Sequence, residues 1–354
     1  MRGGFPALGV AAASVLATGL ALAAAALDPR PERLAETGLF VDGSVNTVRA
    51  GIQTFTPQYP LWSDGATKRR WISLPEGRAI DATRPAAWAF PVGTRFWKEF
   101  SVGGHRVETR MIEHLPDGGW RFSAYAWNDA QTEATLAPAG GIRTLALPQG
   151  GSYRIPSEAD CRACHEGAAA PILGFTALQL SSDRDPLAPH AEPLHPGDLQ
   201  LHTLVASGQL RGLPREMLDV PPRIAAPTPA GRAALGYFNA NCGQCHADPN
   251  LADGAVPVEL QLALDPSDPL TGEKALNRLI DGESRYRAAG AADARVLVPG
   301  NSQAGTLLAR MRSRDPRIQM PPLGSVKPDL EAIALIERWI DQDLKNENGQ
   351  ERTP

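Results

Sequence analysis

Between residues 67 and 127 apolar and polar positions alternate, the period of a strand with two distinct faces. Four runs carry the pattern: Lys68-Arg-Arg-Trp71-Ile-Ser-Leu74, Thr94-Arg-Phe-Trp97-Lys-Glu-Phe100, Val107-Glu-Thr-Arg-Met-Ile112 and Trp120-Arg-Phe-Ser-Ala-Tyr125-Ala-Trp127. Turn formers separate them at Pro75-Glu-Gly77, Gly103-Gly104 and Pro116-Asp-Gly-Gly119. An antiparallel β domain, sandwich or barrel, is therefore expected over residues 40–150. Six of the seven tryptophans lie in its sequence between Trp62 and Trp127. They are read mainly as its core, with an aromatic docking surface as the alternative.

After residue 226 the period changes to three and four. Thr228 and Pro229 form an N-cap and first helical residue, followed by Ala234, Leu235 and Phe238 on one face. Leu276, Leu279 and Ile280 mark a second helix. Ser302 is expected to cap a third helix bearing Leu307, Leu308 and Met311. A last helix should start near Asp329 and bury Leu330, Ile333, Ile336, Trp339 and Ile340. The expected class is thus multidomain β + α, with an antiparallel β domain, a connecting segment over 151–226 and an all-α domain over 227–345. Within the connecting segment a loop carries Pro186, Pro189, Pro193 and Pro196, and the stretch Leu199 to Leu210 reads as a helix ending near Gly208. Residues 346–354 read as a disordered tail.

The first 26 residues follow a different rule. One charge, Arg2, precedes an alanine-rich apolar run and small residues Ala23 to Ala26, the order of a cleaved secretory signal peptide. Localisation in the periplasm is the expectation, with no stable membrane span once the signal is removed. A net charge of −4 with no block of like charge excludes a nucleic-acid partner from the expected classes.

Only four cysteines occur, in two identical frames: Cys161-Arg-Ala-Cys164-His165 and Cys242-Gly-Gln-Cys245-His246. C-x-x-C-H is the haem-attachment signature. Thiols one helical turn apart reach two vinyl groups, and the adjacent imidazole meets the iron. A zinc site built on two C-x-x-C pairs usually has a much shorter interval than the 77 residues between Cys164 and Cys242. A thioredoxin-like motif explains one pair, not two followed by histidine. Two disulfides would leave His165 and His246 unexplained. The expected cofactors are two covalently attached haem c groups.

Met320-Pro-Pro-Leu-Gly324 offers a thioether on a stiffened loop, suited to be the sixth ligand of the second iron. Met311, at helical spacing with Leu307 and Leu308, reads as core. For the first iron the favoured sixth ligand is His190. His195, His202, Met217 and an open position are the alternatives.

Residues 228–343 resemble a class I, mono-haem cytochrome c domain. The resemblance implies His246 as proximal and Met320 as distal ligand of a six-coordinate iron. The longer order resembles a family of secreted proteobacterial di-haem c-type cytochromes. It runs from Tyr59-Pro-Leu-Trp-Ser-Asp-Gly65 through Phe90-Pro-Val-Gly93, Glu108-Thr-Arg110 and Tyr125-Ala-Trp-Asn128 to Ile155-Pro-Ser157. That resemblance implies electron transfer and carries over Cys161, Cys164, His165, Cys242, Cys245, His246 and Met320. Two function classes follow. One is a carrier between periplasmic donor and acceptor proteins, with no catalytic residues. The other is a di-haem enzyme, peroxidase-like or substrate-oxidising, whose first iron is open and whose second haem relays electrons.

Overall fold

The alternating runs of sequence become strands of one sheet. A computed structural model describes residues 30–168, 170–247, 262–284, 286 and 295–344; the signal-peptide and tail expectations lie outside these. In chain order the strands are β1 (Gln53–Thr54), β2 (Thr67–Ser73), β3 (Ile80–Asp81), β4 (Arg95–Val102), β5 (His105–His114), β6 (Trp120–Trp127), β7 (Ala134–Leu136), β8 (Ile142–Ala146), β9 (Ser152–Ile155) and β10 (Leu210–Arg211). The helices are α1 (Glu158–His165), α2 (Leu201–Ala206), α3 (Glu216–Asp219), α4 (Pro229–Asn241), α5 (Thr271–Asp281), α6 (Thr306–Arg312) and α7 (Leu330–Arg338). A π turn over Trp339–Asp343 prolongs the last.

Six strands form an antiparallel sheet in the order β1-β2-β4-β5-β6-β7, and β3–β10 and β8–β9 make two small ribbons. The sheet is open, with β1 and β7 at its edges, which corrects the expectation of a sandwich or barrel. No second full sheet is needed because loop-rich chain covers the face opposite the tryptophans.

One face is dry and aromatic. Trp71, Trp97, Met111, Tyr125 and Trp127 pack with Leu34, Leu39 and Phe40. Burying side chains of this size contributes roughly 1.5–3 kcal/mol each. Trp97 Nε1 donates to Thr37 Oγ1 at 3.1 Å and Trp127 Nε1 to Thr109 Oγ1 at 3.0 Å, so these indoles keep their hydrogen bonds. The core reading of the tryptophans holds for Trp71, Trp88, Trp97 and Trp127, while Trp62 and Trp120 are half-buried. On the other face Ile72 and Phe96 meet Phe55, Phe90, Phe175 and Ile172.

Helices α4 to α7 surround one core containing Leu235, Phe238, Leu276, Leu279, Met311, Ile333, Ile336 and Trp339. Thr228 caps α4 by accepting from Gly231 N at 3.1 Å, and Asp329 caps α7 by accepting from Ala332 N at 3.1 Å. Three details differ from expectation. Ser302 caps nothing: its N–H and hydroxyl both donate to Asp341, at 2.7 and 2.8 Å, and α6 begins after Gly305. Leu330 stands at the first position of α7 with 71% of its surface exposed. The helix expected from Leu199 to near Gly208 is the shorter α2, and Leu210 beyond it pairs with Ile80 in the β3–β10 ribbon.

The described residues from Pro31 onward belong to one compact unit. The α4–α7 core takes in Tyr59 from the segment before β2. A Cβ at Gly236 of α4 would lie 2.1 Å from the Tyr59 ring, so only glycine admits this approach. Tyr59 Oη donates to Asp185 Oδ2 at 3.0 Å. Trp62 N donates to Asn241 Oδ1 at 2.7 Å, and Asp64 accepts from the backbone of Val326 and Lys327 at 2.8–3.1 Å. The Tyr59–Gly65 motif is therefore the clamp between sheet and helices.

Candidate functional site

The first C-x-x-C-H frame lies on α1, two turns long and held by its cap. Ser157 Oγ accepts from Asp160 N at 3.0 Å, while Asp160 Oδ2 accepts from Ser157 N at 2.9 Å. Arg162 pairs with Glu158 and Glu166 one turn to either side. Cys161 and Cys164, three residues apart, share one side of this helix.

His165 follows them, its ring 5.2 Å from that of Phe122 on β6. Its Nδ1 lies 2.6 Å from the Pro171 carbonyl oxygen, which can only accept, so the proton is on Nδ1. Burial pushes the imidazole pKa down to about 4, with Arg110 and Lys98 acting the same way. The ring is thus neutral at pH 7, with the Nε2 lone pair free of a proton. A metal-ligating histidine has this arrangement, its second nitrogen oriented by a backbone carbonyl.

The second frame ends α4. Cys242 N donates to Phe238 O at 2.8 Å and His246 N to Cys242 O at 2.9 Å, so the frame continues the helix by one tight turn. The His246 carbonyl accepts from Leu262 and Ala263, at 2.7 and 3.2 Å. None of the four cysteines forms a disulfide, and all are half-buried. Burial raises them, Cys164 to about 11 and Cys242 to about 12, and the neighbouring Cys245 adds to each shift.

The two frames abut. A Cβ at Gly167, just past the first, would sit 3.0 Å from the Gln244 carbonyl inside the second, and Cys164 and Cys245 are close enough to interact electrostatically. Eighty-odd residues of chain fold back to produce this contact, which nothing in the linear spacing announced. Among the described residues no three His, Cys, Asp or Glu side chains converge on a metal-binding point.

Met320 is half-buried, its N–H donating to Arg310 O at 3.0 Å on α6, while Arg310 Nε donates to Ile318 O at 2.8 Å. The loop bearing it is thereby tied to the α4–α7 core. Met311 is buried in that core. His190 is held elsewhere: Nε2 lies 2.8 Å from Asp329 Oδ1, Nδ1 lies 3.1 Å from Glu331 Oε2, and the ring centre lies 4.8 Å from that of Trp62, tilted by 31°. Both nitrogens therefore face carboxylates. His195 and His202 are exposed, and Met217 packs in the apolar core with Leu204 and Leu210.

No family model, curated protein or solved structure matches the chain.

Proposed function

We propose that the chain is a periplasmic di-haem c-type cytochrome that carries electrons between redox partner proteins. The contact between the two C-x-x-C-H frames carries this reading, since a relay needs its redox groups attached to neighbouring segments. Cys161, Cys164 and His165 would hold the first haem, and Cys242, Cys245, His246 and Met320 the second, within the α4–α7 unit as a class I cytochrome c domain. The haem iron supplies reversible one-electron exchange. The protein's part is attachment and tuning. The thiols would add across the haem vinyl groups as thioethers, the Pro171 carbonyl orients His165, and the Met320 thioether would favour ferrous iron and raise the second potential.

Mass spectrometry and the alkaline pyridine haemochrome assay on the exported protein test the assignment. Two haems per chain are expected, and a mass equal to the bare polypeptide would refute it. Met320→Ala should abolish the weak far-red sulfur–iron absorption band.

One observation favours a second reading, a haem-dependent oxidoreductase. His190 is engaged by Asp329 and Glu331, which leaves an open first iron as the alternative to the carrier. Low-temperature EPR separates the two, a high-spin ferric signal from the first haem supporting the enzyme and two low-spin signals the carrier.

A further inference from the structure

The loop that bears Met320 is fastened at its two ends and bare between them. At the near end Met320 N donates to Arg310 O at 3.0 Å, and Arg310 Nε donates to Ile318 O at 2.8 Å. Beyond it Pro322, Leu323 and Gly324 are exposed, so core packing does not hold the backbone there. At the far end the partners come from the other half of the chain. Asp64 Oδ1 accepts from Val326 N at 2.9 Å and from Lys327 N at 2.8 Å, and Oδ2 accepts from Val326 N at 3.1 Å. Trp62 Nε1 donates to Lys327 O at 3.1 Å.

The backbone of Asp64 is shaped to this contact. Its φ is +55°, in the left-handed region, and Gly65 follows at +83°. Aspartate and asparagine tolerate that conformation better than most side chains, and glycine adopts it freely. A left-handed residue persists where its surroundings determine it, and here its carboxylate meets the two N–H groups of the loop. Neither N–H has another hydrogen-bond partner among the described residues. Bonds from backbone amides to a carboxylate are roughly twice as strong as those to a neutral acceptor, so this is the firmest hold on the far end. Asp64 also acts electrostatically on Arg314, which makes charge a rival explanation for any effect of the residue.

We propose that Asp64, aided by Trp62, is a positioning residue for the Met320 thioether, its hydrogen bonds to Val326 and Lys327 setting how firmly the methionine loop is held. The inference rests on the reading of Met320 as the sixth ligand of the second iron and gives the N-terminal half of the chain a part in that site. The frame itself is built by α4; the loop of its sixth ligand is the part held from outside the helices. With both ends fixed, the ordering cost of presenting the thioether is met when the chain folds. Asp64 acts through the backbone of the loop and needs no contact with the thioether.

Two substitutions separate the hydrogen bonds from the charge. Asp64→Gly keeps the left-handed backbone and removes both acceptors, whereas Asp64→Asn keeps the backbone and one acceptor oxygen but loses the charge. Both are made in the full exported protein, and the far-red sulfur–iron band, the second haem potential and amide exchange at Val326 and Lys327 are measured. Losing a negative charge raises the potential and losing the thioether lowers it, so the two causes differ in sign. Asp64→Gly should lose most of the band and speed exchange at both amides about tenfold. It should also lower the second potential relative to Asp64→Asn by a tenfold shift in the one-electron equilibrium, about 59 mV. Asp64→Asn should keep the band. Trp62→Phe, which removes the indole donor, should weaken the band to a smaller extent, and it decides if Asp64→Gly does not fold. An intact band and an unmoved potential in Asp64→Gly overturn the proposal. So does equal loss of the band in Asp64→Asn, which would assign the effect to charge. Wild-type protein that holds two haems but shows no sulfur–iron band defeats the reading of Met320, and the proposal with it, before any variant is made.

Discussion

The two C-x-x-C-H frames share a spelling and are built by different means. The second completes α4, a helix of 13 residues whose Leu235 and Phe238 are sealed in the α4–α7 core, and it is supported by consecutive helices that each bury an apolar stripe. The first sits on α1, eight residues with no buried side chain, and its surroundings come from strands far upstream: Phe122 on β6, Arg110 on β5, Lys98 on β4. One site is assembled locally, the other by topology. A chemical motif specifies which bonds form; the wall it stands against decides the electrostatics of the product.

The largest expected effects come from removing one ring at each site. Phe122 and Phe238 are 2% and 1% exposed, and truncating either to alanine should cost about 3–5 kcal/mol in denaturant unfolding. On the proposed di-haem reading their spectroscopic consequences should differ. Phe122→Ala removes the ring against His165 and should perturb the EPR signal of the first haem alone. Phe238→Ala, whose ring lies 6.3 Å from Trp339, should loosen the core behind the second. Equal disturbance of both haems by Phe122→Ala would show that the sites are not separately supported.

A charge change of intermediate size sharpens the contrast between the sheet's faces. On the face that carries Trp97 and Met111, Glu113 accepts from Arg95 Nε at 2.7 Å and from Arg121 Nε at 3.1 Å. Burial pushes the Glu113 carboxyl up, but the two guanidiniums outweigh it and hold the pKa below 4.5. A carboxylate held low in the folded state adds stability that is present above its unfolded pKa and is lost as pH falls through the folded value. Glu113→Gln should therefore cost about 1.5 kcal/mol at pH 7, the low end for charged hydrogen bonds because Arg95 is partly exposed, and flatten the loss of stability below pH 4.5. Urea titrations at pH 7 and at pH 4 check both statements; an unaltered acid limb would show that Glu113 is not the group responsible.

Where stability is local, the sequence was legible. Thr228-Pro229, the spacing of Ala234, Leu235 and Phe238, and the start of the last helix near Asp329 all act over a few residues, and all appear as read. The strands and their turns were equally plain. The pairing on the polar positions was hidden for a physical reason: Arg70 and Arg110 occupy the polar positions of alternating strands, which read as solvated, and only the fold brings Glu192 to the first and Tyr153 to Glu108, the partner of the second. Ser302 failed for a related cause, since a competent cap was claimed by Asp341 from the end of the chain. The engagement of His190 by Asp329 and Glu331 is likewise set by the docking of distant segments. What the linear pattern lacks is knowledge of which polar face is covered, and the first frame depends on that knowledge more than the second.

The smallest expected effect isolates the same asymmetry. Ser157 and Thr228 are both N-caps, of α1 and α4, and replacing either by alanine should remove about 1 kcal/mol. A helix of eight residues has little intrinsic stability, so α1 depends on its capping box and on the ring of His165 against the sheet. Ser157→Ala should therefore speed amide exchange within α1 about fivefold while leaving the global unfolding midpoint almost unchanged. Thr228 also donates to Asp343 Oδ2 at 2.6 Å, and α4 is bound into the core on several sides, so Thr228→Ala should appear in the global midpoint with no selective exchange along α4. Selective opening of α4, or a purely global response to Ser157→Ala, would mean that the two frames rest on equally firm ground and that the distinction between a local and a topological site does not hold.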